Sequence, residues 1–236
     1  PARVIEARNL LNEALLLDIS DKQRIFIKKQ LSGLADKWLF SRTIFPQDDL
    51  CETYRVKPGD RLEVIGKRYQ VPWEILMDIN NLPRPEALRA GAVIKVINGP
   101  FNAKVYRSRF QMDIYLRSSF VRSYRVGLGM AGMETPTGLW RVKSDGRMVK
   151  PPWPDPESGR ILHFGDPDYA LGTRWIGLEG LKGDAVGRSG FGIHGTIDPD
   201  SIGTHCSRGC IRMLNEQVEF VYRLLAPVAS QVRVVE

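Results

Sequence analysis

The feature that most constrains this chain is a change of hydrophobic period along its length. Up to about residue 40 the apolar residues recur at helical spacing; beyond about residue 100 they alternate in short runs cut by Gly, Ser and Pro. A period near 3.6 buries one stripe of a helix, and a period of 2 buries one face of a strand. One uniform architecture cannot satisfy both, so the 236 residues read as a multidomain chain. No apolar stretch approaches the ~18–20 residues that span a bilayer. An apolar share of 43% with 26% charged residues excludes disordered, collagen-like and coiled-coil chains. The formal charge of +7 favours anionic partners without choosing among them. Its basic residues are dispersed instead of forming a stripe, so no nucleic-acid partner is expected.

Residues 1–50 predict a helical hairpin and linker. Leu11, Ala14, Leu15 and Ile19 keep a helical spacing, Ser20 with Gln23 forms a capping-box pattern, and Ile27, Leu31, Leu34, Ala35 and Trp38 make one apolar face. Pro46 and the Asp48-Asp49 pair then break the pattern. Residues 51–99 read as a small α+β module of order βααβ. Tyr54-Arg55-Val56 alternates like a strand, Lys57-Pro58-Gly59-Asp60 turns, and Leu62, Ile65, Gly66 and Tyr69 make a helical stripe. Pro72 suits the first position of a second helix bearing Ile75, Leu76 and Ile79, and Val93–Val96 returns as a strand.

The run "YRVKPGDRLEVIGKRYQVPWEILMDINNL", with the later "LRAGAVIKV", resembles a LysM domain. That resemblance implies binding to glycans containing N-acetylglucosamine, such as peptidoglycan. A spacer without glycan affinity is the alternative.

Residues 100–236 read as a mainly-β domain. Lys104–Arg107, Gln111–Leu116, Phe120–Val126 and Gly138–Lys143 are short β-rich runs. The glycine-rich link Val126–Gly138 lacks the Lys of a phosphate loop. Asn215 is placed to cap a late helix carrying Val218, Val221, Tyr222 and Leu225, and Val232–Val235 reads as a last strand.

The chemistry gathers in residues 191–215, "FGIHGTIDPDSIGTHCSRGCIRMLN", which hold two of the three His and two of the three Cys. A cysteine nucleophile needs a base or positive charge to favour the thiolate, and N–H donors for the oxyanion. His194 can serve as base and Cys210 as nucleophile, with Gly209 letting the backbone turn its N–H groups together. Ser207, Arg208 and Arg212 add a hydroxyl and two charges. Spacing alone leaves two other readings open: zinc held by His194, His205, Cys206 and Cys210, or ordinary buried structural residues.

The series "IHGT", "SIG" and "SRGCIRM", with "TPTG" upstream, resembles the signature of L,D-transpeptidases of the YkuD type. The resemblance implies cysteine acyl transfer on peptidoglycan stem tetrapeptides, forming 3→3 crosslinks without cofactor or metal. Carried over, Cys210 is the nucleophile, His194 the base, and Gly209–Cys210 the oxyanion donors. Gly195 falls in the His-Gly-Thr motif, and Arg212 supports the loop or a substrate carboxylate. Carbapenems are the implied inhibitors, and an exported protein of the periplasm or cell envelope is the implied setting, with a membrane anchor in a preceding segment as one option. One departure stands out: the family reads Ser-His-Gly-Cys where this chain has Arg208. Arginine stays charged and cannot act as a base; as a loop element its charge would favour the thiolate. The alternatives are a peptidoglycan-binding protein with an inactive catalytic domain, or an L,D-carboxypeptidase using water as acceptor. Cys206 reads as an inert residue, a disulfide partner of Cys51, or a redox brake on Cys210.

Overall fold

The computed structural model describes residues 2–236, with side chains from Arg3 onward. Contacts cluster into two compact units. One is the chain up to Asn102 with Asp113–Ser123; the other is Ala103–Met112 with Tyr124–Glu236. This differs from cuts at 50/51 and 99/100, because buried polar links join the helical segment to the βααβ module.

In the first unit, α1 (Ala2–Ala14) and α2 (Asp21–Trp38) are joined by a short turn. Ser20 caps α2 in a full capping box: its side chain accepts the Gln23 N–H at 3.3 Å while Gln23 accepts the Ser20 N–H at 3.0 Å. β1 (Cys51–Arg55) is followed by α3 (Leu62–Arg68), α4 (Trp73–Ile79) and β2 (Val93–Ile97), which pairs antiparallel with β1. Pro72 precedes α4 as its N-cap instead of opening it. Asn80 fastens the module, donating to the Leu76 and Lys95 carbonyls and accepting the Lys95 N–H, each at 2.8 Å.

The alternation of β2 would place Lys95 on a solvent face, yet Lys95 is buried. Its ammonium donates to the carbonyls of Trp38, Ser41 (3.0 Å) and Thr43 (2.8 Å), closing the end of α2. Arg8 of α1 is likewise buried, bonded to Asp48 at 2.6 Å with its guanidinium over Trp38. Lys28 reaches buried Asp113 at 2.5 Å, which holds residues 113–123 in this unit.

The remaining elements are β3 (Phe101–Tyr106), the hairpin of β4 (Gln111–Leu116) and β5 (Ser119–Arg125), β6 (Leu128–Gly129), β7 (Gly138–Val149), β8 (Trp153–Pro154), β9 (Ile161–Leu162), β10 (Arg174–Lys182), β11 (Gly192–His194), β12 (His205–Ser207), β13 (Ile211–Arg212), α5 (Asn215–Tyr222) and β14 (Gln231–Val235). In the second unit strands lie side by side in the order β13-β11-β10-β7-β14-β3, mostly antiparallel, with parallel pairs β13/β11 and β14/β3. β7 continues past Lys143 to Val149 because it bulges against β10. Gly146 faces Gly177 there, where a Cβ would lie 2.7 Å from the Gly177 carbonyl oxygen. α5 lies against β10 and β11 with Val218 and Val221 buried, so the sheet edge that carries the chemistry is backed by a helix.

Candidate active site

The parallel pairing of β11 with β13 sets Ile193 opposite Ile211 and His194 opposite Arg212. Cys210, one residue before β13, thereby comes to the edge of β11 beside Gly192. Cys210, His194, Arg212, Ser207 and Arg208 all line one cleft of about 810 Å³. The residues singled out by motif are therefore gathered at one place by two very short strands.

His194 is buried, and its Nδ1 lies 2.7 Å from the Gly195 carbonyl oxygen. A carbonyl only accepts, so Nδ1 carries the proton and Nε2 keeps a free lone pair. Burial pushes the imidazole down to about 4; the Gly195 carbonyl opposes this and Arg212 adds to it. Burial also pushes the Cys210 thiol up to about 11, against the pull of the Gly192 amide and Arg212. Both shifts favour the neutral forms, thiol and imidazole. The Nδ1–H tautomer leaves Nε2 as the ring nitrogen free to take a proton.

The loop before the cysteine is braced from within. Ser207 is buried; its hydroxyl donates to the Cys210 carbonyl at 2.6 Å and accepts the Gly209 N–H at 3.2 Å. Ser207 therefore braces the loop. Gly209 sits at φ +106, and a Cβ there would lie 2.5 Å from the Phe191 ring. The Gly209 amide is turned to Ser207, and the amide of Gly192 lowers the thiol. Arg208 forms an ion pair with Glu157 and is not among the charges that shift the thiol. Arg212 is the cation at the Cys210–His194 pair, and its buried Nε has no hydrogen-bond partner.

Two further residues position the base. Asn215 is the first residue of α5, behind the cap residue Leu214, and its side chain does not cap the helix. It accepts the amides of Thr173 (3.1 Å) and Thr196 (3.3 Å) and donates to the Thr196 carbonyl (2.9 Å), tying down both loops beside His194. Gly195 makes room for it: a Cβ there would lie 2.1 Å from the Asn215 side-chain oxygen. Gly195 thus leaves Asn215 the space to pack there. Trp175 of β10 stacks on the imidazole, ring centres 5.7 Å apart and 24° between planes. Gly192 permits this, since a Cβ would lie 2.7 Å from the indole. No sequence signal marks Trp175 or the Gly192 amide, whereas Asn215 was visible as a polar residue at a helix start.

The zinc alternative finds no support in the geometry. No group of three or more His, Cys, Asp or Glu that could hold a metal occurs among the described residues. His205 instead approaches the Gly129 carbonyl at 2.8 Å and packs edge-on against Phe110. Cys51, Cys206 and Cys210 are all free thiols, so Cys206 and Cys51 are not joined.

A sequence model of the YkuD family, described as the L,D-transpeptidase catalytic domain, matches residues 102–234. The chain belongs to this family. A LysM domain is matched at residues 54–96. Among similar proteins, the putative L,D-transpeptidase YkuD of Bacillus licheniformis is 29% identical over 172 residues, covering 70% of this chain and 88% of the relative. The putative L,D-transpeptidase YqjB of Bacillus subtilis is 42% identical over 77 residues, 32% of this chain and 40% of the relative. Of solved structures, L,D-transpeptidase 3 from Mycobacterium tuberculosis with a faropenem-derived adduct aligns at 17% identity and TM-score 0.45, covering 62% of this chain and 65% of that one. The YkuD-type domain of this chain thus keeps the Cys and His of the motif in one cleft while carrying Arg208 in place of the motif's second histidine.

Proposed function

We propose that this chain is a peptidoglycan L,D-transpeptidase that forms 3→3 crosslinks through a cysteine acyl-enzyme. The observation that carries the reading is the tautomer of His194: with Nδ1–H held by Gly195, Nε2 is available as base in the cleft that Cys210 lines.

In the first step the Cys210 sulfur attacks the carbonyl between the third residue of a stem tetrapeptide and its terminal D-Ala. The thiol proton passes to His194, and the C–N bond breaks as His194 returns that proton to the departing D-Ala amine. A thioester remains. In the second step the side-chain amine of a neighbouring stem attacks the thioester, loses its proton through His194, and releases the Cys210 thiol. The Gly192 amide and the Arg212 guanidinium both favour negative charge on the Cys210 sulfur.

The LysM domain is assigned to the glycan, through N-acetylglucosamine, while the catalytic domain works on the peptides; this raises their effective concentration. On this reading the protein works where peptidoglycan lies, outside the cytoplasmic membrane in the periplasm or cell envelope. No helix among the described residues is long and apolar enough to cross a membrane.

Intact-mass spectrometry after incubation with a carbapenem tests the reading. One adduct is expected, lost in Cys210→Ala and kept in Cys206→Ala. No adduct under reducing conditions would overturn it in favour of a glycan-binding protein with an inactive catalytic domain. Release of D-Ala without a crosslinked product would identify water as the acceptor, an L,D-carboxypeptidase.

A further inference from the structure

We propose that Arg208 is the subsite for the terminal carboxylate of the donor peptide's leaving residue, and that Glu157 fills this subsite in the unliganded chain. The inference rests on the acyl-transfer reading above and names the residue that reads the donor's free C-terminus.

Arg208 is carried on the same braced loop as Cys210 and lines the same cleft, as does Glu157 from the turn between β8 and β9. The two side chains form an ion pair, although they are far apart in sequence. The turn that presents Glu157 is itself built. The Asp155 carboxylate accepts the Glu157 N–H at 3.1 Å, the Ser158 N–H at 2.9 Å and the Ser158 hydroxyl at 2.6 Å. Backbone and side-chain bonds to Ser158 and Glu157 hold the Asp155 carboxyl below its usual range, so the turn stays fastened through neutral and mildly acidic pH.

What this turn delivers to the cleft is a carboxylate on a guanidinium, the geometry a substrate carboxylate would seek. Side-chain exposures of 39% for Arg208 and 75% for Glu157 make the pair weak, so an incoming carboxylate can exchange with Glu157. A group read by Arg208 lies in the cleft that the nucleophile lines. A terminal leaving residue has its carboxylate there, whereas a longer peptide offers a neutral amide. Arg212 is already engaged at the thiol and imidazole, leaving this task to Arg208.

The test uses the full chain and two donor tetrapeptides, one a free acid and one its C-terminal carboxamide, followed by acyl-enzyme mass and by release of the leaving residue. The wild type should prefer the acid. Arg208→Gln should lower kcat/KM for the acid roughly tenfold or more and leave the amide unchanged, with Arg208→Lys intermediate. Glu157→Gln should lower KM for the acid several-fold without changing kcat or the amide, and should be silent in the Arg208→Gln background. Equal losses on both peptides would show that Arg208 only shapes the loop, and would overturn the proposal. Acylation by a carbapenem with no preference between the two peptides would overturn it alone. No acylation by peptide or carbapenem would overturn the transpeptidase reading as well.

Discussion

The two units bury polar groups to opposite ends. In the first, the Lys95 ammonium has three protons and meets three carbonyls, those of Trp38, Ser41 and Thr43. Arg8 is held between the Asp48 carboxylate and the Trp38 ring. In the second, the Cys210 thiol makes a long 3.6 Å contact to the Gly190 carbonyl beside the Gly192 amide, and His194 uses Nδ1 while Nε2 stays available. Burial depresses Lys95 as it depresses His194, and it raises Cys51 to about 12 as it raises Cys210 to about 11. A displaced pKa therefore does not by itself mark chemistry. What separates the units is capacity left over: a fully partnered buried cation fastens structure, whereas a buried base with an open lone pair beside a cleft can move a proton.

The largest expected effect lies at the open pair. Cys210→Ala should abolish acylation, and His194→Asn should slow it about 10²–10⁴-fold, measured by mass spectrometry and stopped-flow. The pH profile sharpens this. A neutral base that protonates at about 4 implies acylation flat through neutrality, falling as pH drops through about 4. Alkylation of Cys210 by iodoacetamide should climb towards pH 11, following its thiol. Rapid alkylation at pH 6 would show a standing thiolate and break the contrast.

The next effect tests the closed site. Lys95→Met strands three carbonyls at the end of α2 and should lower unfolding stability by about 3 kcal/mol in urea titrations, with acylation per folded molecule unchanged. A variant as stable as the parent would mean the partnered cation fastens nothing. Asn215→Ala comes next: freeing the loops beside His194 should cost acylation roughly tenfold with little change in KM. Asn215→Asp keeps both acceptor bonds and should recover part of the rate. The smallest effect belongs to Trp175→Ala, which admits water to the imidazole. Its acidic limb should move up from about 4 towards the ordinary 6.5, and an unmoved limb would assign the shift to other walls of the site.

Local pattern carried a great deal of this protein. The Ser20–Gln23 capping box, the βααβ order of residues 51–97 and the buried stripe of α5 follow from nearest neighbours and from periods of 3.6 and 2. Cys210 and His194 were legible because their motifs are contiguous and the loop between them is short. The length of β7 was not, since Gly146 reads as a turn until Gly177 of a distant strand lies across from it.

The tertiary structure settled every matter that depends on who meets whom across the chain. It buried Lys95, which alternation alone would leave in water, because carbonyls more than fifty residues away needed its protons. It engaged Gly209 with Ser207 and brought the Gly192 amide to the sulfur. It assigned Arg208 to Glu157 instead of to the thiol. The physical reason is common to all three: a residue type fixes what a side chain can donate or accept, and secondary-structure period fixes which face it takes. Which partner completes it, how much water it keeps, and so whether it titrates or merely holds, is set by residues that sequence distance does not reveal.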